Sequence, residues 1–144
     1  MTTSTRTANI PTVLLAVLGS LLAGVTVAAE PVPRTAPAKT ATMTQEQLVQ
    51  HQTQHADHLF VLDVRTPQEF AAGHVPGALN VPHDQLASRL AEVPRDKDVV
   101  LYCRSGRRSA LAADVLAANG YSRVSHLEGD MNAWVERGRP IEKP

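Results

Sequence analysis

The sequence predicts an α/β fold, a central mostly parallel sheet with helices on both faces. Three observations carry this expectation. Short apolar runs recur between residues 59 and 127, as suits strands buried on both faces. Segments with helix caps and glycine stops fall between them. Strands that alternate with helices make parallel pairs, and both faces of such a sheet must be covered.

The N-terminal segment stands apart from that pattern. Residues Val13 to Ala28 carry no charge, the length of a secretory apolar region and short for a membrane span of roughly 20 residues. Val27 and Ala29 place small side chains at the −3 and −1 positions of a cleavage site before Glu30. Residues 1–29 therefore read as a signal peptide for export to the periplasm, with an uncleaved membrane anchor as the alternative. Residues 30–42, rich in proline and alanine, cannot bury apolar surface and read as a flexible tether. The folded domain is expected over 43–144.

Thr44 and Gln47 form a capping box for a first helix. Leu59 to Leu62 is a strand. Thr66-Pro67-Gln68-Glu69 supplies an N-cap, a proline at the first helical position and an acidic third residue, so a brief helix follows and ends by Gly73. Leu79 to Val81 reads as a second strand, and Asp84 to Ala91 as a helix with Leu86 and Leu90 on one face. Asp98 to Tyr102 is the clearest strand. Ser109 to Asn119 reads as a helix closed by Gly120, Val124 to Leu127 as a fourth strand, and Asp130 to Arg137 as a last helix closed by Gly138.

Charge excludes one class of partner. The chain has 14 basic and 14 acidic residues, and loss of 1–29 removes only Arg6 among them. A near-neutral chain with few aromatic residues offers nucleic acid neither a basic field nor stacking rings. No membrane contact is expected once the signal is cleaved.

Cys103 is the only cysteine, so no internal disulfide can form. It follows a buried strand and precedes a helix, the place where open α/β sheets bind ligands. Backbone N–H groups at the entry to a helix are unpaired, and the helix dipole adds positive potential. Gly106 lets the backbone approach a ligand closely, Ser105 and Ser109 donate hydrogen bonds, and Arg104, Arg107 and Arg108 add permanent charge. These neighbours favour the thiolate of a side chain whose free pKa is roughly 8.5. The same donors suit an oxyanionic substrate. A small buried core cysteine is the bland alternative, and three nearby arginines make such burial costly.

The sequence resembles the single-domain rhodaneses, or thiosulfate sulfurtransferases, over residues 43–143. Leu62-Asp63-Val64-Arg65, with Glu69-Phe70 and the run Gly73 to Pro82, is similar to the family's N-terminal signature. Cys103 to Ser109 is similar to its active loop, and Gly129, Ala133-Trp134 and Gly138 to its C-terminal signature. The resemblance implies a rhodanese-like three-layer fold. It implies that the Cys103 thiolate takes sulfane sulfur from a small anionic donor as a persulfide. A cyanide or thiol acceptor, or a protein sulfur acceptor, then receives it, with no metal or organic cofactor. Residues 104–108 would hold the persulfide, and Asp63 and Arg65 would support the loop or form a structural ion pair. A sulfur carrier or partner-binding module is the alternative.

Loop length separates a further rival. Related phosphatases and arsenate reductases place an arginine six positions after the cysteine; here that position is Ser109, and Arg108 closes a six-residue loop. The tighter loop suits one sulfur atom. Many relatives have Gly-Gly where this chain has Gly129-Asp130, and Asp130 reads as an N-cap of the last helix. His74 is expected to order its turn, and Trp134 to pack in the core. His51 and His55 lie one helical turn apart, with His58 near; that spacing can bind a metal, but no carboxylate motif accompanies it.

Overall fold

The computed structural model describes residues 40–144. The segment read as a signal peptide and most of the segment read as a tether lie outside the described residues. No helix among the described residues is long and apolar enough to cross a membrane.

Five strands and four helices make up the domain: β1 (Ala41–Met43), α1 (Gln45–Gln54), β2 (Leu59–Asp63), α2 (Pro67–Ala72), β3 (Leu79–Asn80), β4 (Asp98–Tyr102), α3 (Arg107–Ala118), β5 (Val124–Leu127) and α4 (Asp130–Glu136). The sheet runs β1-β5-β4-β2-β3, and every pair is parallel. The predicted helix starts at Thr44 and Thr66 both form. Each threonine hydroxyl accepts the N–H of the third helical residue, Gln47 or Glu69, whose side chain accepts the cap's own N–H in return.

Alternation along the central strands divides the apolar residues between two cores. Leu59 and Val61 of β2, with Val100 and Tyr102 of β4, pack with Leu48 of α1 and Met131 and Trp134 of α4. Leu62, Val99 and Leu101 point the other way, onto Ala112, Ala113 and Leu116 of α3. Period-two alternation in a sheet covered on both faces produces this division. Full burial of each leucine or valine contributes about 1.5–3 kcal/mol.

Three segments differ from the sequence reading. The stretch expected to end as tether contributes β1, whose Ala41, Thr42 and Met43 pair with Ser125, His126 and Leu127. Asp84 to Ala91 is not an α-helix; it forms 3₁₀ turns at Leu86–Ser88 and Leu90–Glu92. Between Pro82 and Pro94 the chain must travel from β3 back to β4, and a 3₁₀ turn advances about 2.0 Å per residue against 1.5 Å. Leu86 still reaches the core, fully buried. Finally, α3 starts at Arg107, two residues earlier than expected, because Gly106 takes a left-handed φ of 104° and serves as its N-cap.

Topology locates the crevice. The connection leaving β2 passes to β3 on one side, and that leaving β4 passes to β5 on the other. The strand order therefore reverses between the carboxyl ends of β2 and β4, where open α/β sheets bind ligands. In the register of this pair Asp63 stands beside Tyr102, the residue before Cys103.

Candidate active site

β4 delivers Cys103 to the carboxyl edge of the sheet, and α3 begins four residues later. The side chain is 1% exposed, yet its sulfur is surrounded by donors. The Gly106 N–H donates to Sγ at 3.1 Å, and the Ser109 hydroxyl lies 3.5 Å from it. Burial pushes the thiol pKa up, but the Ser109 hydroxyl and the N–H groups of Ser109, Ser105 and Gly106 outweigh it, and the net direction is down. Cys103 is thus a thiol poised to ionise, and the reading of an inert core cysteine does not account for its donors.

The loop's arginines are disposed unequally. Arg104 and Arg107 are exposed, as is Ser105. Arg108 is instead bound in a two-pronged ion pair to Glu69 of α2, at 2.6 and 2.8 Å. The Arg108 guanidinium, with help from the Thr66 cap, holds the Glu69 carboxyl at about 2. Glu69 thus neutralises much of the charge that Arg108, one of the residues expected to bind the substrate, brings to the loop. Ser109 is fully buried beneath the loop.

Asp63 and Arg65 form a buried ion pair. The Arg65 guanidinium reaches the Asp63 carboxylate at 2.5 to 3.0 Å and the Gly73 carbonyl at 2.9 Å. The Tyr102 hydroxyl donates to Asp63 at 2.7 Å and accepts from the Val75 N–H at 3.0 Å. Burial opposes the Arg65 charge, and the Asp63 carboxylate more than restores it. This pair ties the 73–75 turn to the ends of β2 and β4, the geometry of the structural ion pair that was one of the two sequence readings. His74 acts in the same turn, stacked on Phe70 at 3.7 Å and bound to the Phe70 carbonyl at 3.0 Å.

A groove of about 600 Å³ runs alongside, lined by Arg65, Glu69, Arg104, Met131, Val135 and Ile141 among others. It combines apolar walls with loop charge. His51 and His55 have ring centroids 5.7 Å apart, and among the described residues no third His, Cys, Asp or Glu completes a ligand set with them.

Asp130 departs most from its sequence reading. Gly129, not Asp130, occupies the N-cap of α4, and no side chain caps that helix. Asp130 has a φ of 52°, and its carboxylate turns back under the Cys103 loop. Oδ1 accepts the Cys103 N–H at 2.7 Å and the Ser109 hydroxyl at 3.1 Å, while Oδ2 lies 2.9 Å from His126 Nε2, which is also 3.5 Å from Ser109 Oγ. Burial raises its pKa, but His126 and these donors outweigh it and keep the carboxylate ionised. His126 was not singled out from sequence; its spacing of four from Asp130 and its place at the end of β5 were the available signals.

The family model for the rhodanese-like domain matches residues 44–137. A protein of Allochromatium vinosum named sulfurtransferase is 46% identical over 88 residues, covering 61% of this chain and 82% of that protein. The thiosulfate:glutathione sulfurtransferase of Saccharomyces cerevisiae is 32% identical over 97 residues, covering 58% of this chain and 70% of that one. Among solved structures, a rhodanese-related protein from Thermoplasma volcanium superimposes with a TM-score of 0.64 at 28% identity, covering 72% of this chain and 99% of that one. The fold and the three signatures, the Cys103 loop among them, lead to one assignment: the chain belongs to the family of rhodanese-like domains.

Proposed function

We propose that the protein is a sulfurtransferase that moves sulfane sulfur from thiosulfate, or a similar small anionic donor, to a thiophilic acceptor. The observation that carries this is the Cys103 sulfur, held by the Gly106 N–H and beside the Ser109 hydroxyl in a loop closed within six residues. Sulfurtransferases of other organisms at 46% and 32% identity support the reaction class.

The chemistry balances without a cofactor. The Cys103 thiolate attacks the sulfane sulfur of thiosulfate; a new S–S bond forms, the old one breaks, and its electron pair leaves with sulfite. The outer persulfide sulfur sits where the loop N–H groups converge and the helix dipole favours negative charge. Cyanide, or a thiolate, then attacks that sulfur. Thiocyanate or a new persulfide leaves, and the Cys103 thiolate returns. The exposed Arg104 and Arg107 draw anionic donors toward the loop.

Exposure of the purified protein to thiosulfate should add one sulfur to Cys103 by mass spectrometry, and Cys103→Ala should abolish thiocyanate formation while keeping the fold. Cyanide turnover by that variant would overturn the proposal. Persulfide formation with negligible turnover would instead indicate a carrier that delivers sulfur to a protein. Hydrolysis of aryl phosphates would indicate the phosphatase reading. We further propose export, on the strength of the apolar run before Ala29; an N-terminus at Glu30 in the periplasmic fraction is the expected finding.

A further inference from the structure

We propose that Asp130 and His126 form a hydrogen-bonded pair that positions the Cys103 loop and sets how readily the Cys103 thiol ionises. It does so by competing with the sulfur for the Ser109 hydroxyl proton. The inference rests on the reading of Cys103 as the nucleophile.

Asp130 is 3% exposed and its backbone lies in the left-handed region, where a non-glycine residue costs roughly 1–2 kcal/mol. Gly129 before it has a φ of 70°, and a Cβ there would stand 2.4 Å from the Ala133 Cβ. These two residues turn the chain so that the carboxylate lies under the loop rather than at the helix end. A Cβ at Gly106 would meet Asp130 Oδ2 at 3.4 Å and His126 Nε2 at 3.8 Å. The pair therefore sits directly beneath the residue whose N–H holds the sulfur.

The Ser109 hydroxyl has one proton, with the Gly106 carbonyl at 3.0 Å, Asp130 Oδ1 at 3.1 Å and Cys103 Sγ at 3.5 Å as acceptors, and His126 Nε2 also lies 3.5 Å from its oxygen. An ionised carboxylate is the strongest of these until the thiol itself ionises. Asp130 thus draws the proton away from sulfur and adds a negative charge beside the loop. His126 Nε2, 2.9 Å from Oδ2, engages the other oxygen of the same carboxylate and so weakens its hold on the Ser109 proton.

Few other charges lie on the elements that pack against His126. β1 carries none. On β4, Asp98 lies at the opposite end of the strand, 3.6 Å from Arg123, and the Tyr102 hydroxyl is committed to Asp63. On α3, Arg108 is bound to Glu69, while Arg107 and Asp114 are exposed; on α4, Glu136 is exposed at the far end. Glu128, on the short connection between His126 and Asp130, is also exposed. Of these charged groups only the Asp130 carboxylate contacts His126.

The test is the rate of Cys103 alkylation by iodoacetamide against pH in the full chain. Asp130→Asn keeps an acceptor for the Cys103 N–H, removes the charge and makes the competing acceptor neutral. Its midpoint should move down by about one pH unit, the lower end of the effect of one nearby charge. His126→Gln takes the imidazole away from Oδ2 and leaves the carboxylate freer to draw the Ser109 proton, and its midpoint should move up. A structural role alone would not shift the two variants in opposite directions. Should Asp130→Asn fold poorly, Asp130→Gly relieves the left-handed backbone and should shift the midpoint in the same direction. Wild-type midpoints in the folded Asp130 and His126 variants would overturn the proposal. Alkylation needs no sulfur donor, so failure of thiosulfate loading would sink the proposed function and leave this result standing.

Discussion

Glu69 faces two ways: its side chain accepts the N–H of the Thr66 cap and also binds Arg108 of the Cys103 loop. One carboxylate thus starts α2 and steadies the approach to Cys103. Glu69→Gln would leave Arg108 uncompensated beside the thiolate. Alkylation of Cys103 by iodoacetate, an anion, should then accelerate relative to neutral iodoacetamide. Arg108→Gln should lower the same ratio; an unchanged ratio in both variants would show that the ion pair does not face the incoming reagent. Asp63 makes the reverse case. Its loss would strand a buried Arg65 and the Tyr102 hydroxyl, so Asp63→Ala should cost about 3–5 kcal/mol in urea denaturation.

At the scale of elements, the turn into α3 depends on the φ of 104° at Gly106. Gly106→Ala would strain the backbone by roughly 1–2 kcal/mol and press a methyl group toward Asp130 Oδ2. The Gly106 N–H would then leave the sulfur. The variant should ionise Cys103 at higher pH and load persulfide more slowly, and an unchanged alkylation profile would count against the loop as the activating element. Most elements were legible in the sequence because their signals are local. Thr44 and Thr66 announce helices with capping boxes, and Asp98 to Tyr102 is a strand by its apolar run. Residues 84–91 were misread because leucines at 86 and 90 suit an α-helix, whereas the route between β3 and β4 demands the longer stride of 3₁₀ turns. Ala41–Met43 has no strand pattern of its own and becomes one by pairing with β5.

Across the whole molecule, ion pairs link elements that are distant in sequence, and acid should expose this. The folded-state pKa of Glu69, about 2, lies below its ordinary value of 4.5. A carboxyl held down in this way stabilises the fold above pH 4.5, and its contribution fades as pH falls toward 2. Arg108→Gln removes the main cause. Urea midpoints of wild type and this variant should therefore differ most at pH 6, draw closer below pH 4.5 and converge only near pH 2; a constant gap would assign the difference to packing instead. Trp134 serves the same whole-molecule cohesion. It is 1% exposed in the core shared by α1, α4 and the sheet, and its indole N–H donates to the Pro140 carbonyl at 2.7 Å. Trp134→Ala should cost about 3–5 kcal/mol.

By itself the amino-acid sequence determined the alternation of strands and helices, the solitary cysteine and the strand–loop–helix that carries it. These depend on side-chain periodicity and on contacts within a few residues. Only the tertiary structure decided which charges the loop keeps. Arg108 meets Glu69 across 39 residues and Cys103 meets Asp130 across 27, because parallel pairing brings the carboxyl ends of β2, β4 and β5 to one edge. Read locally, Asp130 is a helix cap. A left-handed turn at Gly129 and Asp130 sends its carboxylate beneath the sulfur instead, and no pattern of neighbouring residues encodes that direction.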